Sequence, residues 1–383
     1  MLRKKFGRLL LVGMMAMTTL VGCSSGEATP STPSTPSTPS GEGATTEDKV
    51  KVTLLLTGSL GDKAFNDSAQ AGMDKIKAEF GDQVETETIE IGFDKTKFEP
   101  AFIDVSESDS DIIVTGPWDM KEHIENNAPL YQDKKYIVFD TDVAYDEYDL
   151  NNVYSMSYKQ NEAGFLAGAL AALTTTSDMK FANPDKKIGF VGARDTSPVI
   201  NDFLIGYIQG AQFIDPEMKV EVSYVGSFTD TAKAKELTLA QYAKGVDTVF
   251  VAAGPASTGT IEAALSAGKY VIGVDSDQAL AYEGKEEANH IISSALKHLD
   301  TSIARGVELY LKDSLTFGAH EELGLKDQAV GLANNAIYET VVTEAIRTQV
   351  QEVEATLLNG EVELITALGM SQEDLQAIIK SAQ

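Results

Sequence analysis

The stretch DTVFVAAGPASTGTIEAALSAGKYVIGVD, residues 247–275, decides the fold. It opens on an apolar, β-rich run (247–253), passes through Gly254-Pro255, takes on helical periodicity over 257–267 and returns to an apolar run at 270–275. A strand, a helix and a second strand in so short a span form a βαβ unit, whose strands run parallel and lie buried. The alternation continues outward. Further strands are expected at 50–57, 84–91, 111–115, 136–140, 152–158, 187–193, 219–226 and 290–294, with helices near 65–80, 119–132, 160–176, 198–214 and 230–244. A long helix at 295–313, a strand near 328–332 and helices at 337–357 and 371–381 complete the pattern. About ten strands over the first ~240 residues of this pattern are many for one compact sheet, so two similar α/β lobes are expected.

Charge and cysteine content narrow the chemistry. Lys and Arg number 31 against 58 Asp and Glu, a net charge of −27 over 383 residues. Arg3, Lys4, Lys5 and Arg8 all precede the first acid, Glu27, so the body is more acidic still. Recognition of phosphate backbones or anionic membranes needs clustered cations, and a nucleic-acid partner is not expected. The one cysteine, Cys23, leaves no intrachain disulfide and no thiolate metal cage. His123, His290, His298 and His320 show no metal-ligand spacing, and no metal site is expected.

The basic residues 2–8 lead into LLLVGMMAMTTLVG, 9–22, which is too short to span a bilayer and matches a signal-peptide core. The core ends at Leu20-Val21-Gly22-Cys23, which resembles a bacterial lipobox. That pattern implies cleavage after 22 and a lipid on Cys23. Residues 23–49, with STPSTPSTPS at 31–40, form an extended polyproline-like tether.

Ligands of doubly wound sheets sit outside the carboxyl ends of the strands, so residues following each strand are the candidates. After the first strand, Phe65, Asn66 and Asp67 open a helix, in positions that also suit capping and packing. Trp118, the only tryptophan, follows Gly116-Pro117 and suits either stacking on a flat ligand or packing. Asp140 and Asp275 stand at strand ends, where carboxylates accept hydrogen bonds from ligand hydroxyls or amines or serve as turn residues. Small residues around Gly254 let backbone approach a ligand closely. Walker, dinucleotide-binding and nucleophile-elbow motifs are absent from the sequence, which gives no positive sign of an enzyme and calls for no cofactor.

Together, GDKAFNDSAQAG (61–72), KQNEAGFLAGALAAL (159–173), KIGFVGARDTSPVINDFLIGYIQGAQ (187–212), VIGVDSDQ (271–278) and ISSALKHLD (292–300) resemble the basic membrane protein family of substrate-binding lipoproteins. Its best-known members are purine nucleoside receptors of ABC importers. The resemblance, which covers roughly 50–345, implies a type I periplasmic-binding-protein fold: two doubly wound parallel-sheet lobes joined by three hinge segments and closing over a solute. Lobe 1 is then 50–157 plus about 295–325, and lobe 2 is 158–294 plus about 326–383.

By the same resemblance, Phe65 and Phe203 are aromatic plates from opposite lobes, with Asn66 and Asp67 as polar contacts beside the first. Asp140 reads the base edge, Asp275 and Lys297 hold the ribose, and Gly254 offers backbone. Trp118 and Pro255-Ala256-Ser257 depart from the family's pattern and reshape the base pocket. The implied protein is a monomer on the extracytoplasmic face of the cell membrane, held by its lipid and delivering a nucleoside to a permease and its ATPase. A sugar receptor of the same fold, a nucleoside hydrolase with Asp67, Asp140 and Asp275 as carboxylates, and a transporter-independent surface sensor are the rival readings. Cys23→Ser should move the protein from the membrane to the soluble fraction; a variant that still sediments with membranes would reveal another anchor.

Overall fold

The computed structural model describes residues 49–383; the leader, Cys23 and the tether up to residue 48 lie outside the described residues. The strands are β1 (Val50–Leu56), β2 (Val84–Glu90), β3 (Ile112–Gly116), β4 (Lys135–Phe139), β5 (Val153–Tyr158), β6 (Lys187–Gly192), β7 (Lys219–Tyr224), β8 (Thr248–Ala252), β9 (Tyr270–Asp275), β10 (Ile291–Lys297), β11 (Ala319–Leu323) and β12 (Val330–Leu332). The helices are α1 (Phe65–Phe80), α2 (Phe98–Ser106), α3 (Lys121–Asn127), α4 (Gln160–Thr175), α5 (Pro198–Ile214), α6 (Thr231–Ala243), α7 (Ser257–Ala267), α8 (Gln278–Ala281), α9 (Leu299–Leu311), α10 (Ala336–Val341), α11 (Glu344–Leu358) and α12 (Gln372–Ala382).

These strands form two six-stranded sheets of matching order, β11-β5-β4-β3-β1-β2 and β12-β10-β9-β8-β6-β7. Central strands such as β3 and β8 are buried along their whole length. That is why they read as continuous apolar runs rather than alternating ones. The first sheet is parallel throughout. The second is not wholly parallel, because β12 runs antiparallel to β10, with Lys297 opposite Val330.

The chain leaves the first sheet between β5 and α4, returns between β10 and α9, and crosses again between β11 and β12. These three crossings are bonded to one another. Lys159 N–H donates to the Leu323 carbonyl and His298 N–H to the Ala329 carbonyl, both at 2.8 Å. The lobes therefore share one stitched hinge.

Several expectations change. Residues 295–297 belong to β10 rather than to a helix, and α9 starts only at Leu299. Ala295 pairs with Val274 on one side and Leu332 on the other, and a two-sided ladder overrides local helical periodicity. The segment 337–357 divides into α10 and α11. Residues 119–132 hold the short α3 between two 3₁₀ turns. The polar edge strand β11 and helix α2 carry no clear sequence signal.

One contact positions the site. Helices α4 and α5 touch backbone to backbone. A Cβ on Gly206 would lie 2.0 Å from the Asn161 carbonyl oxygen, and one on Gly168 equally close to that of Tyr207. This fixes α5, which carries Phe203, against the helix that begins at the first crossing. Gly206→Ala should force the pair apart and cost about 1–3 kcal/mol. Urea unfolding would register it as a lower midpoint at unchanged m value, and a native midpoint would contradict so close an approach.

Candidate functional site

Between the carboxyl ends of the two sheets lies a cavity of about 130 Å³ lined from both lobes. Of the nine residues proposed from sequence, Phe65, Asn66, Trp118, Asp140, Phe203, Gly254, Asp275 and Lys297 line it. Asp67 does not. Its carboxylate accepts from Gly61 N–H at 2.7 Å and Lys63 N–H at 2.8 Å, so it braces the loop that enters α1. Asp62, missed from sequence, lines the cavity instead and accepts from the N–H groups of Ala64, Asn66 and Asp67 at 2.9–3.1 Å. Burial raises its pKa despite those three donors.

The two acids at strand ends occupy equivalent places, Asp140 after β4 and Asp275 at the end of β9. Both have left-handed backbones, φ 59° and 66°. Aspartate tolerates that conformation better than most residues, and it turns each chain sharply as the strand ends. One ammonium lies near both. Lys297, 1% exposed, donates to Asp140 Oδ1, 5% exposed, at 2.6 Å. The helix expected at 295–313 would have carried this lysine, which is instead the last residue of β10. Removing one partner of such a buried pair leaves an uncompensated charge.

Asp275, 8% exposed, makes no hydrogen bond through its carboxylate among the described residues. Burial pushes it up to about 7, Asp140 and Asp62 add to the rise, and Lys297 opposes it. Burial likewise pushes the Asp140 carboxyl up, against the pull of Lys297.

Around the same ammonium stand the aromatic rings. Its Nζ lies 5.7 Å from the Phe65 centroid, 5.4 Å from Phe203 and 5.5 Å from Tyr158. Phe65 leans on Phe139 at 5.9 Å and Phe203 meets Phe250 edge-on at 5.7 Å. The two rings thus border one cavity from opposite lobes, each held by an aromatic neighbour behind it.

Toward the mouth, the loops after the outer strands β2 and β7 fold inward. Phe93 and Lys95 arrive from one and Phe228 from the other. Lys95 donates to Asp119 Oδ1 at 2.6 Å, and Arg194 stands 3.6 Å from Asp119 Oδ2 across the cleft. Trp118 is 40% exposed beside them. Ser276 donates to the Lys63 carbonyl at 2.6 Å, and the Lys63 ammonium lies 4.0 Å from the Tyr282 ring. These contacts join the lobes outside the cavity.

Two doubly wound lobes, a stitched hinge and a buried polar–aromatic cavity between them define a two-lobed solute receptor. Within that class, residues 49–362 match the family model for ABC transporter substrate-binding proteins of the PnrA-like type, and the chain belongs to that family. The family is one of solute receptors rather than enzymes, which implies a small-molecule ligand and a transporter partner. The chain is 27% identical over 325 residues to basic membrane protein A1 of Borrelia garinii subsp. bavariensis, spanning 84% of this chain and 90% of that protein. It is 25% identical over 342 residues to the CD4+ T-cell-stimulating antigen of Listeria innocua, 85% and 90% of the two chains. A solute-binding protein of an ABC transporter system from Aeropyrum pernix K1 shares the fold at a TM-score of 0.73 and 22% identity, covering 88% of this chain and all of that one. Among the described residues no helix is long and apolar enough to cross a membrane.

The raised Asp275 pKa has a definite sign. Between the ordinary carboxylate range and about pH 7 the folded chain holds a proton that the unfolded chain has lost, so this group's ionisation erodes stability as pH rises through that window. Asp275→Asn removes the erosion. Its stability relative to the native chain should climb between pH 4 and pH 7 by on the order of 4 kcal/mol. A difference that stays flat over that range would mean Asp275 titrates normally.

Proposed function

We propose that the protein is a lipid-anchored receptor on the extracytoplasmic face, which captures a purine nucleoside and delivers it to an ABC permease. The observation that carries this reading is the placing of Phe65 and Phe203, from opposite lobes, within 5.7 Å of one buried ammonium flanked by Asp140 and Asp275. A flat heterobase stacks between two rings, each such contact being worth on the order of 1–3 kcal/mol. The Asp275 carboxylate accepts from vicinal pentose hydroxyls, and Lys297 keeps donors free beyond its bond to Asp140. Asp140 Oδ2, not used by Lys297, accepts from an N–H of the base. Gly254, with φ 54°, brings backbone to the cavity wall. Closing the lobes about the three crossings excludes water and strengthens each of these bonds. The receptor works as a monomer, and Cys23 carries the lipid.

Titration calorimetry with inosine, guanosine, adenosine, uridine and ribose tests the reading. Purine nucleosides should bind and ribose should not; ribose binding without any nucleoside would establish a sugar receptor instead. Incubation with inosine should leave it intact, whereas released hypoxanthine would make the protein a hydrolase. Phe65→Ala and Asp275→Ala should each weaken nucleoside binding at least about tenfold, roughly 1.4 kcal/mol. Unchanged dissociation constants in both would move the ligand elsewhere.

A further inference from the structure

Arg194 follows β6 by two residues and lines the cavity opposite Trp118 and Asp119. Its guanidinium carbon lies 5.0 Å from the centre of the Phe228 ring, which also packs against Gly254. The side chain is partly buried, and its one carboxylate neighbour, Asp119, is 3.6 Å away with its other oxygen taken by Lys95. Among the described residues Arg194 donates no side-chain hydrogen bond. An arginine has five N–H donors in a fixed fork, and here they border the cavity uncommitted to any protein acceptor among the described residues, open to those of a ligand.

The occupant must supply acceptors without bringing a full negative charge. Asp62, Asp119, Asp140 and Asp275 already line the same cavity, and of its three cations Lys95 and Lys297 are bonded to Asp119 and Asp140. A phosphate or carboxylate would add an anion to an acidic enclosure. A neutral pair of adjacent acceptors fits the fork instead. In purines that pair is O6 and N7 of a 6-oxopurine, the edge arginine takes in bidentate fashion. Adenine presents an amino group in place of O6, setting donor against donor.

Resting on the nucleoside reading above, we infer that Arg194, stacked beside Phe228, reads the O6/N7 edge of the base and makes this a receptor for 6-oxopurine nucleosides, inosine and guanosine, over adenosine. Asp119 is then a positioning residue that balances the guanidinium charge without occupying its donors. Trp118, next to Asp119 and alone of its kind, is a built-in fluorescence reporter of occupancy.

The test is a set of titrations, read by calorimetry and by Trp118 emission, of inosine, 7-deazainosine and adenosine against the native protein and Arg194→Met, which keeps an apolar stem on Phe228. The native protein should prefer inosine to adenosine by at least about tenfold, and loss of N7 should weaken inosine binding severalfold. In Arg194→Met all three should bind within about threefold of one another. A merely structural arginine would weaken every ligand equally and leave these ratios alone. Equal native affinities, or a preference that survives in Arg194→Met, would overturn the Arg194 assignment while leaving a nucleoside receptor standing. Failure of every nucleoside to bind would overturn both.

Discussion

The rest of the site depends on the buried pair between Lys297 and Asp140, one partner from each lobe. A lysine 1% exposed is tolerated only where a carboxylate meets it at bonding distance, because the cost of stripping water from an ammonium amounts to several kcal/mol. The pair forms only when the ends of β10 and β4 face each other. It therefore demands that the lobes come together at the hinge side, and the aromatic walls of Phe65, Phe203 and Tyr158 gather around the same ammonium. With Lys297 bonded to Asp140, the buried Asp275 carboxylate is left without a hydrogen-bond partner among the described residues. That leftover acid gives the cavity both its unmet hydrogen-bonding capacity and its sensitivity to protons.

The wall of the second lobe is held from behind. Asp202, adjacent to Phe203 on α5, accepts from Gln160 at 2.9 Å, from the Thr366 hydroxyl at 2.7 Å and from Ala367 N–H at 2.8 Å. Burial raises its pKa, and these neutral donors are what oppose the rise. Gln160 opens α4 at the first crossing, while Thr366 and Ala367 belong to the segment between α11 and α12. One buried carboxylate thus ties the hinge exit, the helix bearing Phe203 and the C-terminal segment together. The backbone contact between α4 and α5 completes the brace. For the stacking role proposed for Phe203, rigidity of this wall matters, since an aromatic plate contributes to affinity only if ordering it is not charged to binding.

Much of this was legible before the structure. Buried parallel strands leave unbroken apolar runs, and α1, α5 and α7 begin and end where their periodicity says. The rule that ligands meet strand ends led directly to Asp140 and Asp275. What escaped has physical causes. Lys297 was named as a site residue, by resemblance, but its place on a strand was not: the local pattern of its segment favours helix, and only pairing to β9 and β12 makes it strand. Asp62 in the loop and Asp67 in the first turn of α1 are five residues apart, and sequence does not say which carboxylate faces the cavity and which braces the loop. Arg194 was within reach of the strand-end rule applied to β6, in Gly192-Ala193-Arg194. Phe93 and Phe228 were not, because they come from loops of outer strands that fold back over their neighbours, a tertiary event without a local signature.

The two lobes repeat one plan with unequal contents. The sheets share a strand order, so that β4 corresponds to β9 and β5 to β10. Equivalent strand ends carry equivalent acids in the same left-handed turn. At the next pair of ends the plan breaks: β5 finishes in Tyr158 and β10 in Lys297, and the ammonium lies 5.5 Å from that tyrosine ring. Had both lobes supplied a lysine, two cations would have met at the hinge side. Had neither, both acids would have been stranded. A single ammonium, bonded to one of two matched carboxylates, makes a near-symmetric cleft chemically unequal. Arg194 and Phe228, on the loops of β6 and β7, bring a guanidinium and a ring to the same cavity from the second lobe. The two lobes therefore share an architecture but not a lining, and that is how a doubled fold comes to enclose a cleft with no symmetry of its own.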